Sequence, residues 1–281
     1  MKILLFQILA VVLLFDSSMG YCQNKKLQFE IESESVPGEV YPIEVILPDD
    51  YDSDNRYPMV YFTDWWFSAQ TGPQVYNRLR LAGVIEPIII VGIGTSGDMT
   101  DWRMERWRDL TPTNIPESDY PDSLATGSRG ISGGAANFLN FIKNELIPIT
   151  EEKFPSDTLN RGFVGYSLGG LFGSYVLSSS PQTFQHYLLG SPTLRYDDFV
   201  MIDRLRDSSP DKLSTVKSIF ISVGEEEPGD YLKGYADLRD LILSMNLPNL
   251  RLKSIIVEGE GHLLAASTAI VKGFKFMYGT K

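Results

Sequence analysis

Gly165-Tyr166-Ser167-Leu168-Gly169 sets a serine between two glycines, after the apolar run Gly162–Tyr166 and before the helix-patterned run Leu168–Leu177. At a strand-to-helix junction a G-x-S-x-G forms a sharp turn that lifts the serine hydroxyl above the strand ends. The glycines are needed there because a side chain would collide with the neighbouring strand and helix. A serine hydroxyl is a weak nucleophile and requires a base beside it. The chain has two histidines, His186 and His262. With a serine on such a turn, the order along the chain is serine, acid, histidine. His262 meets that order, in Glu258-Gly259-Glu260-Gly261-His262 after the last apolar run. His186 opens the strand after the serine's helix, before any acid could intervene, and reads as a structural residue. The acid is expected in Val223-Gly224-Glu225-Glu226-Glu227-Pro228-Gly229-Asp230, where it would accept the imidazole N–H and fix its tautomer. Glu227 is the choice, with Glu226 and Asp230 left open.

Attack on an acyl carbon also needs two backbone N–H groups aimed at the developing oxyanion, and losing one donor costs about 3–4 kcal/mol. Leu168, next after the serine, supplies the first. The second is expected from Asp64-Trp65-Trp66-Phe67, after the Pro58–Thr63 strand, with Trp66 as candidate and Trp65 as alternative. All four tryptophans (Trp65, Trp66, Trp102 and Trp107) fall between residues 64 and 108. Their rings suit stacking on an aromatic acyl group or a sugar, and equally suit a small core under the loops. Trp65, Trp102 and Trp107 are therefore substrate-contact candidates. So is Arg106, which with Arg103 and Arg108 could grip an anionic group or pair with the acidic surface.

Composition narrows the chemistry further. The chain has 281 residues, with 36 Asp and Glu against 25 Lys and Arg, a net charge of −11. Such a surface repels phosphate backbones and anionic lipid headgroups, which argues against nucleic acid or a membrane surface as partner. Cys22 is the single cysteine, so no intrachain disulfide or thiolate metal site can form, and two histidines cannot build a multi-histidine zinc site. No metal is expected. Gly92-Ile93-Gly94-Thr95-Ser96-Gly97 matches the dinucleotide fingerprint G-x-G-x-x-G after a strand. The residues that follow do not read as an amphipathic helix, and no cofactor is expected.

Residues 1–22 have the form of a secretory signal: Lys2, the apolar stretch Ile3–Phe15, then a small-residue exit. The stretch is too short to span a bilayer, and it predicts an exported protein, periplasmic or secreted, with no stable membrane insertion after cleavage. The absence of disulfides suits a bacterial source. Residues 23–281 read as one domain. Leu27–Val36 and Glu39–Leu47 flank the Pro37-Gly38 turn as an antiparallel hairpin. Pro58–Thr63, Pro87–Ile93, Gly162–Tyr166, His186–Gly190, Ser218–Val223 and Leu252–Val257 are strands. Helices are expected over Ile131–Ile149, Leu168–Leu177, about Tyr235–Met245 and the C-terminal segment bearing Ala266, Ile270, Phe274 and Met277. Between Ser96 and Ser132 the chain reads as a long irregular loop, and loops of that length are usually functional. Strands alternating with helices give a mostly parallel sheet covered on both faces.

These stretches together resemble the esterase family of α/β-hydrolases, which includes ferric-enterobactin esterases, esterase D type enzymes, feruloyl and acetyl-xylan esterases, and mycolyltransferases. The resemblance runs from about Leu27 to Phe276. It is carried by Val45-Ile46-Leu47-Pro48, Tyr57-Pro58-Met59-Val60-Tyr61, Arg108-Asp109-Leu110-Thr111-Pro112-Thr113, Gly133-Gly134-Ala135 and Asn144-Glu145-Leu146-Ile147-Pro148. The stretches Gly165-Tyr166-Ser167-Leu168-Gly169-Gly170-Leu171-Phe172 and Ser191-Pro192-Thr193-Leu194 complete it. The branch it is most similar to holds bacterial siderophore-type hydrolases. It implies an α/β-hydrolase fold, Ser167 as nucleophile, His262 as base, an acid among Glu225–Glu227, no cofactor, and a small-molecule or glycan ester as substrate. Many relatives carry Asp-Gly where this chain has Asp64-Trp65, a change expected to narrow the acyl site or tilt the second donor. The expected function is ester cleavage through an acyl-enzyme. Acyl transfer to a sugar hydroxyl and a catalytically dead binding scaffold are the alternatives, and the oligomeric state stays open.

Overall fold

A computed structural model of the chain describes residues 25–115 and 132–280. The expected signal segment with Cys22, the start of the helix placed at Ile131, and most of the second half of the long loop lie outside the described residues.

The opening hairpin is β1 (Lys26–Glu32) with β2 (Val40–Ile46), paired antiparallel from Lys26 opposite Ile46 to Glu32 opposite Val40. Gly38 turns it at a φ of +88°, open to glycine at no steric cost. Strands β3 (Met59–Phe62), β4 (Ile89–Ile93), β5 (Gly162–Tyr166), β6 (His186–Gly190), β7 (Ser218–Gly224) and β8 (Arg251–Val257) run parallel to one another. The sheet order is β1-β2-β4-β3-β5-β6-β7-β8, with β2 antiparallel to β4. The inner strands are continuous apolar runs because helices cover both their faces, while β1 and β8, at the edges, alternate with polar residues. In β3 the alternation sends Met59 and Tyr61 into one core and Val60 and Phe62 into the other.

On one face lie α1 (Trp65–Ser68), α2 (Gly72–Leu81) and α9 (Ala265–Tyr278), through Trp65, Tyr76, Ile270 and Phe274. The larger core on the other face takes α3 (Met99–Leu110), α4 (Ala135–Phe141), α5 (Ile147–Lys153), α6 (Leu168–Ser179), α7 (Val200–Arg206) and α8 (Gly229–Ser244). A π-helical turn, Ile142–Leu146, joins α4 to α5 ahead of Pro148, which has no N–H to give to a regular ladder.

Several expectations are corrected. The irregular stretch from Ser96 contains the 12-residue helix α3, closed by a capping box in which Asp98 accepts from the Thr100 and Asp101 N–H groups and Asp101 accepts from the Asp98 N–H. The helix expected from Ile131 begins at Ala135, because Gly133 turns at φ +93° and its N–H is held by Thr111. Helix α8 starts at Gly229 rather than about Tyr235, and α2 and α7 carry no sequence expectation at all. The G-x-G-x-x-G does precede a helix, though one with only a thin apolar stripe, and the Asp98 and Asp101 carboxylates occupy its start, where a pyrophosphate would sit.

Candidate active site

Ser167 is the turn between β5 and α6, at φ +59° and ψ −116°, a conformation costly for a residue with a side chain. The surroundings hold it there: its N–H bonds the Gly190 carbonyl and its own carbonyl takes the N–H groups of Leu171 and Thr193. A Cβ on Gly165 would come within 2.2 Å of the Gly169 carbonyl, and one on Gly169 within 2.5 Å of Thr63 Oγ1. Both glycines are therefore fixed by close approach.

The structure brings three of the expected residues into one chain of contacts. His262 Nε2 lies 2.9 Å from Ser167 Oγ, and its Nδ1 lies 2.6 Å from Glu227 Oε2. Glu227 is buried, and its other oxygen, Oε1, accepts from Ser191 Oγ at 2.5 Å and from the Gly224 N–H at 2.8 Å. Burial pushes this carboxyl upward, but the donors from His262, Ser191 and Gly224 outweigh it and hold the group below its usual range. Gly224 ends β7 without a side chain, since a Cβ there would meet the Glu260 carbonyl at 2.3 Å.

The alternative acids point elsewhere. Glu226 is exposed, and Asp230 pairs with Arg195 at 3.1 Å. His186 is buried, with Nδ1 2.7 Å from Ser218 Oγ and Nε2 3.4 Å from Asn160 Oδ1. Desolvation, with Lys217 and Arg251 adding to it, lowers its pKa to about 4. It is a neutral packing residue at the far end of the sheet from Ser167.

On the donor side, Leu168 opens α6 and Trp65 and Trp66 open α1, positions whose N–H groups have no carbonyl one turn earlier. Asp64 enters α1 in the left-handed region, at φ +54° and ψ +42°, and its carboxylate is held bidentately by Arg106 at 2.9 and 2.8 Å. The Asp64 carbonyl receives the Phe67 and Ser68 N–H groups.

The tryptophans divide. Trp66 is 37% exposed and stacks on Trp102 with ring centroids 5.1 Å apart, and the Arg106 guanidinium sits 4.7 Å from the Trp102 ring. Trp65 is 5% exposed, edge-on to Phe62 and seated over Gly92 so closely that a Cβ there would meet its ring at 2.0 Å. Trp107 is 4% exposed and packs against Tyr196. The expectation that Trp65 and Trp107 contact substrate is thus corrected, because both rings are core. Arg106 likewise spends its charge on Asp64 rather than offering it to solvent.

Four neighbours escaped the sequence reading of the site. Thr193 Oγ1 lies 3.3 Å from Ser167 Oγ and 3.3 Å from the Tyr231 hydroxyl. Tyr231 meets the His262 ring edge-on at 5.0 Å, and the Tyr166 ring lies tilted against it at 5.3 Å. Ser191 is the fourth, bonded to Glu227. The available signal was positional: Tyr166 is the variable residue before the serine, and Ser191 and Thr193 follow the next strand. Among the described residues no cluster of three or more His, Cys, Asp or Glu could hold a metal ion.

Comparison with known proteins bears on this arrangement. The family model described as "Putative esterase" matches residues 33–231. Ferri-bacillibactin esterase BesA of Bacillus subtilis (strain 168) is 27% identical over 230 residues, 78% of either chain. The siderophore triacetylfusarinine C esterase of Aspergillus fumigatus is 28% identical over 183 residues, 62% of this chain and 58% of that relative. The crystal structure of the BES protein from Bacillus cereus superposes with a TM-score of 0.79 at 28% identity, covering 94% of this chain and 99% of the other.

Proposed function

The chain belongs to the "Putative esterase" family and is a carboxylic ester hydrolase with an α/β-hydrolase fold, and from that premise we propose that it cleaves siderophore-type esters through Ser167, His262 and Glu227. The observation that carries the mechanism is the unbroken contact chain from Ser167 Oγ through the imidazole to the buried carboxylate. As Ser167 attacks the acyl carbon, His262 Nε2 takes its proton, and Glu227 stabilises the imidazolium through Nδ1–H. The oxyanion forms against the Leu168 N–H and a donor at the start of α1, Trp66 or Trp65. His262 then returns the proton to the departing alcohol and activates the water that releases the acyl group.

The substrate class is supported by the relatives, named as esterases of ferri-bacillibactin and of triacetylfusarinine C. Trp66, exposed and backed by the half-buried Trp102, offers a flat apolar face for a substrate ring. Export after loss of residues 1–22 is part of the same proposal, and amino-terminal sequencing of the protein recovered from a secreting host tests it.

The central test is hydrolysis of p-nitrophenyl acetate to octanoate and of iron-loaded and iron-free siderophore lactones, by wild type beside Ser167→Ala and His262→Ala. Both variants are expected to lose kcat by about 10⁴-fold or more with folding intact. Full activity in Ser167→Ala would overturn the mechanism. Turnover of simple esters with no siderophore cleavage would overturn the substrate class.

A further inference from the structure

The carboxylate that faces His262 is not free to choose which oxygen it presents. Oε1 of Glu227 takes two donors, the Ser191 hydroxyl at 2.5 Å and the Gly224 N–H at 2.8 Å, and Oε2 is left to His262 Nδ1 at 2.6 Å. Ser191 is itself buried and held in the left-handed region at φ +37°, with its N–H bonded to the Ser222 carbonyl at 2.8 Å. A serine persists at such a φ only where its surroundings over-determine it. Its hydroxyl also lies 2.8 Å from the Tyr166 hydroxyl, which donates to the backbone carbonyl of His262 at 2.5 Å. Each hydroxyl has one proton. With Ser191 donating to the carboxylate and Tyr166 to the His262 carbonyl, no proton lies between the two hydroxyl oxygens, and their 2.8 Å approach is a contact rather than a bond. Burial raises the Tyr166 phenol well above its ordinary range, so it keeps the proton it donates.

We propose that Ser191 is a positioning residue of the reaction: its hydroxyl pins one oxygen of Glu227 so that the other faces His262, while Tyr166, packed against Ser191, holds the backbone carbonyl of the base itself. The inference rests on the assignment of Glu227 and His262 as acid and base. Acid and base come from loops after different strands, β7 and β8, and Ser191, on a third loop after β6, is where their mounts meet. A carboxylate released from this hydroxyl can rotate, and the imidazole then loses the fixed tautomer that proton transfer from Ser167 requires.

The test pairs Ser191→Ala with Ser191→Gly. Alanine removes the hydroxyl and keeps the backbone cost, whereas glycine removes both, so the glycine variant is expected to melt at or above the alanine variant. Activity should ignore that difference. Both variants are expected to lose kcat about tenfold on p-nitrophenyl acetate with KM within about twofold. Wild-type kcat in either folded variant overturns the inference. So does a loss of kcat that follows melting temperature, slow in alanine and restored in glycine. Glu227→Gln, run alongside, separates the two levels: if it is as active as wild type, the acid assignment falls and this inference with it. If it is impaired while both Ser191 variants are normal, only the inference falls.

Discussion

Glu227 and His186 are both buried, and the polar groups around each lead to different pH behaviour. Glu227 gathers three donors, from His262, Ser191 and the Gly224 N–H, which hold its carboxyl below the usual carboxylate range. Replacing it by Gln leaves a group of the same shape that can hold the wrong imidazole tautomer, and kcat is expected to fall by about 10³–10⁴-fold. Assay of Glu227→Gln against wild type at pH 7 measures this. The depressed carboxyl also contributes stability that is full above its unfolded pKa and is lost as pH falls through the folded value. His186 acts in a higher window. Its folded pKa of about 4 lies below the ordinary value near 6.5, so the unfolded chain binds the extra proton first. Stability is therefore expected to drop by about 2–3 kcal/mol between pH 7 and pH 4.5 on this account. Urea midpoints across that range should show the drop in wild type and a flatter profile in His186→Gln. An equal drop in both would assign the acid sensitivity elsewhere.

At the scale of elements, α1 is the piece whose position matters most and whose support is least visible in sequence. Four residues cannot form a stable helix alone, so α1 is held from outside by the Trp65 ring over Gly92 and by the Asp64–Arg106 pair reaching across from α3. Gly92→Ala would put a methyl within 2.0 Å of that ring. The ring must shift and carry the start of α1 with it. We expect kcat to fall about tenfold or more, the order of one misplaced oxyanion donor, and a crystal structure of the variant should show α1 displaced. An unmoved α1 with normal kcat would remove it from the oxyanion site. Periodicity revealed the parallel strands, the serine turn and α6, because each buries a regular apolar pattern. It concealed α3, whose inward contacts are largely polar: Arg108 pairs with Glu39 and Asp109, and Asp109 accepts from Tyr41 at 2.7 Å. A helix anchored by an ion network presents too thin an apolar stripe for its period to be read. Chain order alone places Ser167 and His262, but it puts Glu227 in a run with Glu226 and Asp230 that only the contacts of each carboxylate separate. Separating the core rings of Trp65 and Trp107 from the outward pair of Trp66 and Trp102 required knowing α3.

At the scale of the whole molecule, the charge of −11 surrounds a site near which Arg106 is paired with Asp64 and Arg195 with Asp230. Pairing cancels most of the field either guanidinium could send toward an arriving ester, so the net acidic surface dominates the approach. An anionic substrate must then diffuse against repulsion that ionic strength removes, because the Debye length shrinks from about 30 Å at 0.01 M to about 8 Å at 0.15 M. For p-nitrophenyl hemisuccinate, kcat/KM is expected to rise about threefold or more over that change, with kcat nearly constant. The neutral p-nitrophenyl acetate should stay within about twofold. A rise for both esters would point to a salt effect on the enzyme itself rather than on encounter. A fall for the anionic ester alone would mean that the mouth of the site carries a local positive field strong enough to overcome the surrounding charge. The substrate would then be drawn in by a cationic group beyond the two paired arginines.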